Sequence, residues 1–420
     1  MTFTAHKFNT IVPNPYMDEI FHIPQAQRYC KGDYWTWDPK LTTPPGLYAI
    51  SNLMLLLKRP VCTTLALRLT NFIYPIVSFF AMAGILKHLH GPRVTRSQCY
   101  ITSAIVLLFP MTWFFNFLYY TDGGSTTFFL VSWLAALKRS HVLAALGLAI
   151  ALTFRQTNII WALFILGTSL LNIATPEERR RFDRLATLVT SPLDVVSAVF
   201  GFLQVLLKHL GSTIVTSAPY LGLLAAFGAF VRWNGGIVLG DRSNHVPHFH
   251  LVQLLYFVAF SAGMSFFVLM GVLPIKRILR PPSRLRFVHP FLLADNRHYT
   301  FYITRILLLR SWVTRYIAVP FYMLAAWLMW QALAVKQTVL WCIIYIVATT
   351  LTLVPTPLVE FRYFIVPYLV YRLSMDQPRT WWPLLLEAGL YGFCNLVTVY
   401  LFLYRPFRWV HADGVQRFMW

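Results

Sequence analysis

Two carboxylates stand side by side at Asp18 and Glu19, inside the stretch PYMDEIFHIPQAQRYC (residues 15–30). A carboxylate so placed can act as general base toward a hydroxyl, its pKa tuned by the adjacent acid and by His22. Read with a helical period, Asp18, His22, Gln25 and Tyr29 share one face, with Ile20, Phe21 and Ile23 mostly on the other. The pattern predicts a helix lying at a membrane surface with polar groups turned into a cavity. The plainer alternative is an acid capping an interfacial helix.

The next stretch, DYWTWDPKLTTPPGLY (33–48), offers Trp35 and Trp37 for stacking on sugar rings and Asp38 for bonding hydroxyls. Aromatic anchoring at the interface is the competing reading. Further along, YYTDGGS (119–125), FRQTNIIW (154–161), NGGIVLGDRSNH (234–245), LLADNRHYTFY (292–302) and LVEFRYFIVPY (358–368) each set polar or charged groups against apolar segments. Ionisable residues at membrane depth cost roughly 2.5–3.5 kcal/mol each and therefore usually serve function. Arg155, Arg242, Arg297, His298 and Arg362 are candidates for clamping a phosphate, with Arg297 and His298 the first choice and Arg362 the next. Snorkelling from helix ends is the alternative for one or two of them. NGGIVLGD lacks the Lys-Ser/Thr of a phosphate-binding loop, and no HExxH, GxSxG or SxxK pattern occurs. His245, His248 and His250 beside Asp241 define no coordination set. Neither a metal nor a cofactor is expected.

What must position these groups is a membrane. The 420 residues are 57% hydrophobic and 12% charged, with a mean hydropathy of +0.57. So much apolar surface needs lipid as its solvent, which predicts an all-α, polytopic membrane protein forming one multispanning domain over 1–420. Apolar segments fall near 61–86, 100–120, 126–137 with 141–154, 158–173, 214–231, 251–274, 316–335, 338–355, 362–373 and 383–404. The formal charge is +21. The basic residues gather in short clusters between those segments: Lys87/Arg93/Arg96, Lys138/Arg139, Arg179/Arg180/Arg181/Arg184, Lys276/Arg277/Arg280/Arg284/Arg286 and Arg372/Arg379. That is the signature of cytosolic loops rather than of nucleic-acid binding. The alternate loops then share the other side, and most of the scarce acids fall there: Asp18, Glu19, Asp33, Asp38, Asp122, Asp241 and Glu360. The first of these loops covers 13–60.

Five cysteines without CxxC spacing indicate neither zinc nor a disulfide framework. Residues 1–14 lack the apolar core of a cleavable signal. The alternation of sides breaks within 275–315 and the chain opens on a luminal-type loop, so spanning helices are expected to be missing near residue 287 and before residue 15.

Taken together, YMDEIFHIPQAQRYC, WDPKLTTPPGLY, FFNFLYYTD, FRQTNIIWA, NGGIVLGDRSNH, LLADNRHYTFY, EFRYFIVPY and the terminal QRFMW resemble the dolichyl-phosphate-glucose-dependent alpha-1,2-glucosyltransferases of the endoplasmic reticulum. The resemblance implies a GT-C-like multispanning glycosyltransferase whose site opens to the lumen. The donor would be dolichyl phosphate glucose. The acceptor would be a diglucosylated, nine-mannose oligosaccharide on dolichyl diphosphate, and the product completes the precursor for N-glycosylation. An acid of the first luminal loop is the base such enzymes use, which makes Asp18 the expected base and Glu19 the second choice. Trp35, Trp37, Asp38 and His22 would contact the acceptor. A transporter, a non-catalytic membrane regulator, or a relative using another dolichyl-phosphate sugar are the competing readings.

Overall fold

Within lipid every backbone N–H and C=O must be satisfied internally, so apolar runs of this length fold as helices. The computed structural model describes residues 2–56, 62–182, 191–240, 248–272, 312–356, 360–409 and 412–420. Among them the regular secondary structure is helical apart from two short antiparallel strand pairs. His248–Phe249 pairs with Pro355–Thr356, and Phe407–Trp409 with Ala412–Gln416. Among the described residues, three stretches are long and apolar enough to cross a bilayer: Thr64–Arg93, Leu210–Asn234 and Trp382–Tyr404. A fourth candidate, Leu251–Met264 with Phe266–Val272, bends by 68°. Shorter apolar helices, among them His141–Phe154, Asn158–Leu171 and Val339–Leu353, complete an all-α multispanning architecture.

Several expected boundaries change. The apolar run 100–120 is two helices, Arg96–Leu107 and Pro110–Phe115, because Pro110 has no N–H to continue the ladder. The run 362–373 becomes a 3-10 turn, Phe361–Phe364, followed by the helix Ile365–Ser374. Within the segment 13–60 two helices form, Glu19–Cys30, where the sequence pattern predicts one, and Gly46–Leu56. The helix Pro192–Lys208 is additional to the expected segments, and Ser191 and Asp194 form a capping box at its start. A ten-residue helix, Thr2–Ile11, precedes residue 15. The expected gap near residue 287 lies outside the described residues.

Hydrogen bonds tie the interhelical segments into two opposite ends. At one end, His90 Nε2 meets the Leu373 carbonyl at 3.0 Å, Lys336 Nζ meets His90 Nδ1 at 2.7 Å, and Gln98 Nε2 donates to the Pro378 carbonyl at 3.0 Å. At the other end, Gln156 Nε2 donates to the Thr42 carbonyl at 2.7 Å. There too, Leu239 N donates to the Thr42 carbonyl at 3.2 Å, and Arg417 N donates to Tyr16 Oη at 2.7 Å. The first end carries basic clusters and the second carries the candidate site. Helix crossings near the site are close. The Phe154 ring lies 2.2 Å from where a Cβ on Gly124 would stand, so TDGGS needs a glycine there.

One covalent link contradicts the cysteine reading. Cys30 and Cys62 form a disulfide across 32 residues of sequence, fastening the C-terminal end of Glu19–Cys30 to the segment that leads into Thr64–Thr70. Spacing alone could not reveal it, because the partners meet only through the fold. A loop of this size is worth about 3–4 kcal/mol in the chain-entropy account. The Cys62→Ala variant should therefore melt at a lower temperature than the unmodified chain under non-reducing conditions, and dithiothreitol should abolish the difference.

Candidate active site

Asp18 sits immediately before the helix Glu19–Cys30. Its backbone N–H donates to Tyr120 Oη at 3.2 Å. Met17, just upstream, has φ of 55°, a left-handed conformation that costs a non-glycine residue about 1 kcal/mol or more. Such strain survives only where the surroundings over-determine it. The Asp18 side chain is 36% exposed and accepts a 2.6 Å bond from Arg362 Nη1. Arg362, in the turn Phe361–Phe364, also grips Glu360: Nε donates to Oε2, and Nη2 donates to Oε1 at 3.1 Å. Its guanidinium lies 5.9 Å from the centre of the Tyr120 ring.

A second arginine stands beside the first. Arg155 follows the helix His141–Phe154. It donates from Nη2 to Asp122 Oδ2 at 3.1 Å, with Oδ1 3.0 Å from the same nitrogen in an ion pair, and from Nε to Thr121 Oγ1 at 3.2 Å. It lies 5.8 Å from the centre of the Tyr363 ring, which adjoins Arg362. Both guanidiniums are thus held by carboxylates and backed by tyrosines. Arg155 engages described protein partners through Nε and Nη2, which leaves its Nη1 donors for an anion.

Charges in this cluster shape one another. Burial alone would raise the Asp18 carboxyl, but Arg362, with His22 and Arg155 in support, outweighs it and holds the group below the ordinary aspartate value. Burial drives His22 down to about 4, and the two arginines push the same way against the pull of Asp18. His22 is therefore a neutral imidazole at neutral pH, sharing a 2.6 Å hydrogen bond between Nδ1 and Tyr48 Oη. The stability consequence has one sign. Above about 6.5 the folded and unfolded states hold His22 alike; as pH falls toward 4 only the unfolded state gains the proton, so stability declines. Asp18 adds a further loss below its ordinary 3.8. Thermal unfolding followed from pH 7 to 4 should show this decline, and the His22→Gln variant should flatten it.

The other expected residues divide. His22, Gln25 and Tyr29 are buried on the inner face as the helical period predicted, but Ile23 joins them while Ile20 stays 54% exposed. Glu19 has no exposure and gives both oxygens to Arg68. Trp35 is 94% exposed, whereas Trp37 packs edge-on against Tyr48 and donates to the Leu41 carbonyl. Asp38 accepts from Lys40 N at 2.9 Å and remains partly exposed. Arg242, Arg297 and His298 lie outside the described residues. The structure adds Glu360, Asp122, Tyr120 and Arg68 to the constellation. Asp122 and Glu360 were visible as acids on the correct side, but nothing in their spacing revealed which arginine each would hold. No group of three metal-binding side chains occurs among the described residues.

The chain resembles known proteins along nearly its whole length. A Mus musculus protein named "Dol-P-Glc:Glc(2)Man(9)GlcNAc(2)-PP-Dol alpha-1,2-glucosyltransferase" is 37% identical, with 98% of this chain and 94% of that one aligned. Proteins of the same name from Arabidopsis thaliana and Drosophila melanogaster are 33% and 30% identical, covering 98% and 96% of this chain and 96% and 93% of their own. The mouse alignment runs to 451 residues against a 420-residue chain, so that relative carries stretches with no counterpart here. The oligosaccharyltransferase of Archaeoglobus fulgidus aligns over 95% of this chain and 54% of its own at 12% identity, with a TM-score of 0.38, a level that establishes no shared fold. The family model described as DIE2/ALG10 matches residues 12–373, and with these relatives it places the chain in the DIE2/ALG10 family.

Proposed function

We propose that this chain transfers glucose from dolichyl phosphate glucose, in alpha-1,2 linkage, to the diglucosylated oligosaccharide on dolichyl diphosphate, and that the Asp18–Arg362–Arg155 cluster is its reaction centre. The observation that carries the reading is Asp18 itself. It is a third exposed, kept ionised by an arginine, and set beside a second arginine with donors to spare. Family membership supplies the substrates; the cluster supplies the chemistry.

A beta-linked phosphoglucose that yields an alpha product inverts at the anomeric carbon, which a single displacement achieves with one base. Asp18 accepts the proton of the acceptor 2-hydroxyl while that oxygen bonds to the anomeric carbon. The bond from that carbon to the phosphate oxygen breaks in the same step, and dolichyl phosphate leaves. Arg155 and Arg362 stabilise the charge gathering on the departing phosphate. A base with a low pKa stays fully ionised at neutral pH, and it suffices because the hydroxyl becomes acidic as the new bond forms.

Glu19, with all its acceptor directions taken, serves the site by holding its neighbour. Trp35 and Asp38, both open to solvent, contact the acceptor sugar, while Trp37 and His22 support them from behind. Arg242, Arg297 and His298 join the donor-phosphate set on sequence grounds.

The site faces the lumen of the endoplasmic reticulum in this reading. It lies at the end opposite the described basic clusters Lys87/Arg93/Arg96 and Arg372/Arg379, and its first helix carries a disulfide, a bond that persists in oxidising compartments. The test is transfer in vitro. The purified chain, given dolichyl phosphate glucose and the diglucosylated lipid-linked acceptor, should release dolichyl phosphate and add one hexose removable by an alpha-1,2-specific glucosidase. Turnover with dolichyl phosphate mannose but not the glucose donor would overturn the reading.

A further inference from the structure

The helix that carries the proposed base is fastened at both ends to one short piece of chain, residues 62–68. At its C-terminal end, Cys30 is bonded to Cys62, and Gln27 Nε2 donates to the Cys62 carbonyl at 3.0 Å. At its N-terminal end, Glu19 meets Arg68, and both side chains have no solvent exposure. Arg68 lies in the helix Thr64–Thr70, within a stretch apolar enough to span a membrane, where a charge is expensive.

The hydrogen bonding around this pair is complete. Glu19 Oε1 accepts from Arg68 Nε at 2.8 Å and from Tyr119 N at 2.7 Å. Its Oε2 accepts from Arg68 Nη2 at 2.6 Å and from Tyr16 N at 3.1 Å. Arg68 spends its remaining donors on Asn9 Oδ1 at 3.2 Å, the Val12 carbonyl at 2.7 Å and the Asn14 carbonyl at 3.2 Å. One guanidinium therefore gathers residues 9–19 around itself. Asp18 lies inside that wrap, between the left-handed Met17 and Glu19, and Tyr120, which takes its backbone N–H, is the neighbour of Tyr119.

We propose that Arg68 is a positioning residue for the transferase reaction, acting through Glu19 to fix the backbone of Asp18 so that its carboxylate meets Arg362. The proposal rests on Asp18 as the base. Arg68 touches no substrate: it sets where the proton acceptor stands. A buried pair that cost one member would leave an unpaired charge, so the informative changes keep both charges and alter only reach. Lysine at position 68 retains the charge but has one nitrogen in place of a fork, so it cannot serve Glu19, Asn9, Val12 and Asn14 together.

The experiment compares the full-length chain with Arg68→Lys, Glu19→Asp and Asp18→Asn, reading kcat, both KM values, the acid limb of the pH–rate profile and the folded fraction. For Arg68→Lys and Glu19→Asp the expected result is a fall of about 10²-fold in kcat, with each KM within about threefold of wild type. The acid limb should move to higher pH, because an Asp18 out of register with Arg362 is less readily kept ionised. Two charge-preserving variants secure the reading if one of them yields no folded protein. Either variant, folded, with kcat near wild type and an unmoved acid limb overturns the proposal, as does a loss of activity fully accounted for by the unfolded fraction. Asp18→Asn separates the two levels: if it is inactive while Arg68→Lys is not, only the positioning role falls. If Asp18→Asn is itself active, the base assignment falls and the positioning role with it.

Discussion

Glucose transfer by the Asp18→Asn chain is expected to fall about 10²–10⁴-fold, the range a positioned general base contributes. The substitution keeps shape and removes only basicity. The backbone bond to Tyr120 and the neighbouring Glu19–Arg68 pair do not depend on the charge of the side chain. An asparagine Oδ1 can still accept from Arg362. Folding and both KM values should therefore stay near wild type while kcat collapses, since the lost interaction acts only as the proton leaves the acceptor hydroxyl. Initial rates at saturating donor and acceptor check this. A loss smaller than about tenfold removes Asp18 from the base role.

The second large effect concerns the departing phosphate. Arg362→Ala is expected to lower kcat/KM for dolichyl phosphate glucose by about 10²–10³-fold, the usual consequence of deleting one donor to a charge that develops in the transition state. Two losses combine there. The phosphate loses a guanidinium, and Asp18 loses the bond that holds it ionised, while Glu360 is left without its partner. The acid limb should therefore move upward in Arg362→Ala. Arg155→Ala should weaken turnover and inhibition by dolichyl phosphate alike without moving the limb as far, because Arg155 is only a minor influence on Asp18. Arg362→Lys should recover part of the rate but not the fork to Glu360. If both alanine variants kept turnover within about threefold of wild type, neither arginine would be stabilising the leaving group.

Much of this was legible in the sequence because the physics that places residues in a membrane is one-dimensional. Hydropathy located the long helices, and the sorting of basic clusters put Asp18, Asp122, Arg155 and Glu360–Arg362 on one side, where the structure gathers them. The helical period of 18–29 foretold that His22, Gln25 and Tyr29 would face inward. What stayed hidden depends on contacts between distant segments. Glu19 looked like an alternative base because a carboxylate beside Asp18 carries no mark of its buried partner 49 residues away. Cys30 and Cys62 are separated by 32 residues with no motif, so only the fold of the first segment brings them together. Trp37 reads as a sugar platform until its indole N–H is seen tied to Leu41. The helix Pro192–Lys208 lies outside the apolar segments read from the sequence, although its stripe of Val195, Ala198, Phe202 and Val205 repeats with a helical period. Its capping box was open to inspection as well.

The most direct test of the central claim is the size of the lipid-linked oligosaccharide in cells that lack this glucosyltransferase. Expressing the chain should convert the accumulated diglucosylated species to one hexose larger, and the Asp18→Asn chain should leave it unchanged. An unmodified chain that adds no hexose, or an Asp18→Asn chain that restores full conversion, would contradict the account.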